Sequence, residues 1–214
     1  YDTVSPSFTR PEDITIYTDA DCVYDASIDI TGDVSNENDN CSTEIEASFS
    51  DVITDGDCPG TYVIKRTWSL VDDCDNSAED QVQTIIVTDN IAPSFTAPED
   101  LTIYTDADCD YDISVEATGD VTNEADNCSI GIEASFVDIV TDGSCEGAFI
   151  ITRTWSLVDK CGNAAADQIQ TITVLDTIAP TFTAPADITI YTNENCNYDL
   201  GTTETGKVTD EADN

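Results

Sequence analysis

The stretch GTYVIKRTWSLVD, residues 60–72, returns almost unchanged as GAFIITRTWSLVD at residues 147–159. Alternation along it places Tyr62, Ile64, Trp68 and Leu70 on one side, the pattern of a long half-buried β-strand. Arg66 and Arg153 fall on that same side. An apolar core has no place for a bare cation, so either a bulge or stacking on the Trp ring is required there.

Working outward from this strand, the cysteines set the period. Cys22, Cys41, Cys58 and Cys74 recur as Cys109, Cys128, Cys145 and Cys161, each 87 residues on (109 − 22 = 87, 161 − 74 = 87). Pro6, Pro93 and Pro180 keep the same step, and Cys196 lies 87 beyond Cys109. The chain therefore reads as repeat one over residues 4–90, repeat two over 91–177, and the first part of a third over 178–214. The wording "DNCS" of the first two copies is matched in the third by a terminal "DN", so a segment cut from a longer tandem array is expected.

Flanking the long strand, DITIYTD and DLTIYTD read as a first strand, YDASIDIT and YDISVEAT as a second, and TEIEASFSDV and GIEASFVDIV as a third with Ile45, Ala47 and Phe49 inward. DQVQTIIVTD and DQIQTITVLD close each copy, and shorter strands are expected between the third strand and the long one. Five to seven antiparallel strands in 87 residues predict an all-β fold: tandem immunoglobulin-like β-sandwich repeats, disulfide-stapled and arranged as a rod. Strands of about ten residues and a short proline-containing linker predict a rise of roughly 35–45 Å per repeat.

With 45 acidic residues against 6 basic ones the net charge is −39, which argues against nucleic acid or an anionic membrane as partner and favours metal cations. No apolar run is long enough to cross a bilayer. Nine cysteines, with no histidine and no CxxC pair, read as disulfides of an oxidising, extracellular setting rather than zinc ligands. The strand between Cys58 and Cys74 spans roughly 30 Å at ~3.3 Å per residue, whereas a disulfide needs Cα atoms within about 7 Å. Neighbouring cysteines thus sit at opposite poles. The expected pairs are Cys22 with Cys58, Cys41 with Cys74, Cys109 with Cys145 and Cys128 with Cys161.

The same pole argument gathers acidic loops at the junction of consecutive repeats: Asp19, Asp21, Asp55 and Asp57 of the first, Asp89 and Asn90 of the linker, and Glu124, Asp126, Asn127 and Asp159 of the second. Calcium takes six to eight oxygen ligands from carboxylates, amides and carbonyls, and this set supplies them; the alternative is a solvated acidic surface. Catalysis is not expected. The chain has no histidine and no Gly-rich phosphate loop, and its acids repeat with the fold.

The run IAPSFTAPEDLTIYTDADCDYD, with TNEADNCS and RTWSLVDKCGNAAADQIQTITVLDTIAP, resembles the hyalin-type immunoglobulin-like repeats of giant Bacteroidota cell-surface adhesins, including the gliding-motility adhesins. The resemblance covers essentially the whole chain; Cys74-Asp75-Asn76 departs from it by lacking the usual glycine. It implies secretion by a type IX-like route, display as a surface filament and cell adhesion. Partners would be neighbouring repeats of the same chain, with a substratum or glycan reached through regions outside this segment. It also implies O-glycosylation at Thr3 and Thr177, which lie in the Asp-Thr-apolar sequences DTV and DTI. A glycan- or protein-binding module and a surface-layer protein are the alternative readings.

Overall fold

The computed structural model describes residues 1–144 and 147–213. Among the described residues the chain is all-β apart from three four-residue helices. In chain order it comprises β1 (Ser7–Thr9), β2 (Ile14–Tyr17), α1 (Ile28–Thr31), β3 (Ser35–Asn38), β4 (Ser48–Asp55), β5 (Tyr62–Ser69), β6 (Gln81–Thr88) and β7 (Ser94–Thr96). There follow β8 (Leu101–Tyr104), α2 (Val115–Thr118), β9 (Thr122–Ala125), β10 (Ser135–Asp142), β11 (Phe149–Ser156), β12 (Gln168–Leu175), β13 (Thr181–Thr183), α3 (Thr202–Thr205) and β14 (Thr209–Ala212).

Two compact units are present. The first holds residues 1–97 together with 121–136 and 155–168; the second holds 98–120, 137–154 and 169–214. In the first unit a four-stranded sheet runs β2-β6-β5-β4, and β1 pairs with β3 in a separate two-stranded sheet. Both hairpin pairings are antiparallel, with Ile64 opposite Ile53 on one side and Ile85 on the other. The pair β2–β6 is parallel, Ile14 opposite Ile85 and Tyr17 opposite Thr88, which departs from the all-antiparallel expectation. The strands of the second unit are ordered β10-β11-β12-β8, and β13 pairs with β14.

The inward faces of these strands make the core. Ile16, Ile64, Ile85 and Val87 pack with Ile14, Tyr24 and Tyr62, while Phe8, Trp68 and Leu70 pack with Val34, Ile45 and Ala47. In the second unit Ile151, Ile172 and Val174 pack with Leu101, Ile103, Tyr111 and Phe149. Each fully buried aliphatic side chain contributes about 1.5–3 kcal/mol.

Arg66 sits inside this core with its side chain 2% exposed. It forks onto both carboxylate oxygens of Asp51 at 2.8 Å and donates to Thr31 Oγ1 and the Ala26 carbonyl. Its guanidinium also stacks 4.1 Å from the Phe49 ring centroid, closer than the 5.9 Å to Trp68. A cation on the core face is tolerated because a carboxylate neutralises it and four of its five N–H donors are paired. Arg153 repeats the arrangement with Asp138, Thr118 Oγ1 and the Ile113 carbonyl.

Two local expectations are corrected. The segments read as a second strand form α1 and α2, each closed by a glycine at positive φ, Gly32 and Gly119. The extra strands expected between the third strand and the long one are absent among the described residues, since β4 turns directly into β5. Phe49 does face inward, opposite Trp68 with ring centroids 5.0 Å apart, but stays 44% exposed because β4 is the sheet edge.

Candidate functional site

Residues 121–136 and 155–168 fold with the first 97 residues, and the place where they meet them is held by two disulfides. Cys22 joins Cys128, with Cα atoms 5.0 Å apart, and Cys58 joins Cys161, at 5.3 Å. The expected pairs Cys22–Cys58, Cys41–Cys74 and Cys128–Cys161 are therefore wrong, and Cys41, Cys74 and Cys109 carry free thiols. The expected Cys109–Cys145 pair lies outside the described residues. The pole assignment survives, because Cys22 and Cys58 do share one end, as do Cys128 and Cys161. What it missed is that Cys22 and Cys58 find their partners in the next sequence copy, in Cys128 and Cys161, and not in each other.

Each cysteine is presented by a short, internally bonded turn. Asp19 Oδ1 accepts the N–H groups of Asp21 and Val23 at 2.9 Å, holding Cys22 at φ +59°. Thr61 Oγ1 donates to the Cys58 carbonyl at 2.7 Å. Asp126 Oδ2 accepts from the N–H groups of Cys128 and Ser129, and Asp159 Oδ1 from those of Cys161 and Asn163. Four aspartate or threonine side chains thus fix four sulfur positions, which is preorganisation written into residue types that favour such turns.

Between the bridges lies a polar seam. Asn127 Nδ2 donates to the Asp19 carbonyl at 3.0 Å and to Asp89 Oδ1 at 3.2 Å, and Asn163 Nδ2 donates to the Asp89 carbonyl. Asp89 is 4% exposed and Asp159 7%. Their carboxylates, with Cys161 Sγ, offer atoms all within 4.8 Å of one another. Cys161 is oxidised, so oxygens alone remain as ligands. Asp89 Oδ2, Asp126 Oδ1 and Asn127 Oδ1 are buried with no hydrogen-bond partner. Carboxylate and amide oxygens buried without a donor are ligands of the kind that a hard cation takes.

Of the ten residues expected at this junction, Asp89 and Asp159 supply the carboxylates of that cluster, Asn127 bonds to Asp89, and Asp126 adds a buried oxygen without a partner. Glu124 is engaged by the Ala134 N–H, and Asp19 offers the seam its carbonyl while its carboxylate serves the Cys22 turn. Asp21, Asp55, Asp57 and Asn90 are exposed.

An offset of 87 residues exposes a second set that the sequence reading passed over. Asp2, Asp39 and Asp72 correspond to Asp89, Asp126 and Asp159 (89 − 87 = 2, 126 − 87 = 39, 159 − 87 = 72), and these three offer carboxylate oxygens within 4.8 Å of one another. Asp2 Oδ2 and Asp39 Oδ1 are again buried without a partner. The N–H groups of Ser42 and Cys41 hold the Asp39 carboxyl below its ordinary range. Burial works against ionisation of Asp72, but hydrogen bonds from Asn76 and the Cys74 N–H outweigh it and lower its pKa. The repeat arithmetic could have found this set from Asp89, Asp126 and Asp159.

No helix among the described residues is long and apolar enough to cross a membrane. No protein-family model matches the sequence, and no match to a characterised protein is found.

Proposed function

We propose that the chain is a stalk segment of a long extracellular adhesin: an array of immunoglobulin-like repeats on a bacterial cell surface, stiffened at its junctions by disulfides and calcium. The observation that carries this reading is the seam, where two bridges link residues 106 and 103 positions apart and tie one sequence copy to the next. A bridge inside a domain stabilises that domain; paired bridges across a junction resist its bending and separation, which is what a stalk under load needs. Disulfides persist in oxidising compartments, which fits a place outside the cytoplasm.

Calcium suits the oxygen-only donor set of Asp89, Asp126, Asn127 and Asp159. Among the described residues the ion pairs are Arg10–Asp13, Arg66–Asp51 and Arg153–Asp138, and none brings a cation to these oxygens. Thr3 and Thr177 are exposed and follow Asp2 and Asp176, whose carboxylates accept the Val4 and Ile178 N–H groups, so both are presented on turns open to O-glycosylation.

Deleting one 87-residue period from the natural chain tests the reading. A stalk gives surface filaments shortened by one period with adhesion per filament retained. Unchanged filament length with adhesion lost would replace it with a binding module.

A further inference from the structure

The seam inside the chain has one face that recurs without a counterpart. The second copy presents Cys128, Cys161, Asp126, Asn127 and Asp159, and receives Cys22 and Cys58. The first copy presents the equivalent residues, 87 positions earlier, as Cys41, Cys74, Asp39, Asn40 and Asp72.

The likeness extends to atoms. Asp39 Oδ2 accepts the Cys41 and Ser42 N–H groups as Asp126 Oδ2 accepts those of Cys128 and Ser129. Asp72 Oδ1 accepts the Cys74 and Asn76 N–H groups as Asp159 Oδ1 accepts those of Cys161 and Asn163. Asn76 Nδ2 reaches the Asp2 carbonyl at 3.3 Å, as Asn163 Nδ2 reaches that of Asp89 at 3.3 Å. The turns, the carboxylate orientation and the sulfur-bearing loops are in place before any partner arrives. Cys41 and Cys74 are exposed, free thiols.

We propose that this end of the first copy is a preformed covalent acceptor, and that its occupant is the Cys22/Cys58-type end of another 87-residue unit entering through the linker at Asp2. Cys41 pairs with that unit's counterpart of Cys22, and Cys74 with its counterpart of Cys58. Each bond joins two sulfurs; the two thiols release two protons and two electrons to a disulfide oxidant, which leaves as two thiols. Every unit is then bridged twice to each neighbour and not at all within itself, so the array is a covalent ladder as well as a chain. The inference stands on the seam geometry and is independent of whether the array serves adhesion.

The test adds one unit in register. A copy of residues 1–87 is placed ahead of Tyr1 of the full chain, with the copy's own Cys41 and Cys74 changed to Ser, and the product is oxidised in a glutathione redox buffer. Thiol alkylation under denaturing conditions and non-reducing peptide mapping are then compared with the parent chain. Cys41 and Cys74, alkylated in the parent, are expected to become protected, linked to Cys22-type and Cys58-type peptides respectively. Changing Cys22 and Cys58 of the added copy to Ser should restore their alkylation, while persistence of the Cys22–Cys128 and Cys58–Cys161 links reports that the rest remains folded. Cys41 and Cys74 staying reactive in the extended chain, or joined to each other, would overturn the proposal.

Discussion

Gly60 lies so close to the sulfur of Cys128 that a Cβ at its position would collide with it, and with the Cys22 sulfur at 2.6 Å. Its φ of +77° adds a conformational demand that side chains resist. Gly60→Ala is therefore expected to prevent the Cys22–Cys128 bond from closing and to expose two additional thiols on labelling of the native protein. Gly131→Ala is the control. It shares a positive φ, +62°, but has open space around it, so it carries only the backbone cost of about 1 kcal/mol and leaves the thiol count unchanged.

Removing a seam bridge should be costly because the loops it closes are long. The chain-entropy model gives about 4–5 kcal/mol for a loop on the order of 100 residues, and the loss of a native disulfide typically costs about 2–5. Cys22→Ser with Cys128→Ser is expected to lower stability within that range by urea denaturation. The two loops overlap, running from residue 22 to 128 and from 58 to 161, so each bridge closes an effectively shorter path while the other is present, and deleting both should cost somewhat more than twice one. A within-repeat pairing predicts instead that Cys22→Ser leaves Cys58, not Cys128, as the new free thiol.

Much of this fold was legible because strand alternation and an exact period leave strong marks: β5, β6 and their copies, the buried Trp68 and Leu70, and the acidic junction all follow from them. The disulfide partners were not. Strand length forbids Cys58–Cys74, but choosing between a neighbour at the same pole and one across the seam needs the depth of the junction, which no local pattern encodes. The α1 segment was missed because Ile28 and Ile30 alternate like strand residues although both are exposed. Gly32, whose φ of +89° permits the turn out of the helix, was the available signal.

The Arg66–Asp51 pair should show the asymmetry of buried ions. Asp51→Ala strands a guanidinium that is 2% exposed, and a loss on the order of 3 kcal/mol is expected. The double variant Asp51→Ala/Arg66→Met removes the stranded charge and should recover much of that loss. Thermal denaturation of the two variants checks it; equal destabilisation would show that packing of the Arg66 stem, rather than its charge, dominates.

Acid should weaken the fold through particular carboxylates. Thr84's backbone N–H, assisted by Arg10 and opposed by desolvation, lowers the Asp13 pKa, and the N–H and hydroxyl groups of Ser27 and Ser114 lower those of Asp25 and Asp112. Their folded values lie below the ordinary 3.8, so the unfolded chain takes up protons first as pH falls. The stabilisation is present in full above the unfolded value and is lost as pH drops through the folded ones. Asp25→Asn/Asp112→Asn should therefore flatten the decline of the melting midpoint below about pH 4 while changing its slope little at neutral pH.

Calcium should act at the orphaned oxygens of the seam and not on acidic charge at large. Extracellular modules bind calcium with dissociation constants of about 0.1–1 mM, so filling requires millimolar ion. At a free concentration ~100 times the dissociation constant, binding to the folded form adds about 2.7 kcal/mol, enough to raise the midpoint by several degrees. Asp89→Asn and Asp126→Asn each remove an anionic ligand and are expected to abolish most of that rise with both disulfides intact. Asp55→Asn removes the same charge from an exposed position and should leave the rise unchanged, which separates a bound ion from general screening. Magnesium, which favours near-ideal octahedral geometry and retains its waters, should substitute poorly. Equal responses from all three variants would place the effect in screening, and no response in the parent chain would leave the seam as solvated charge.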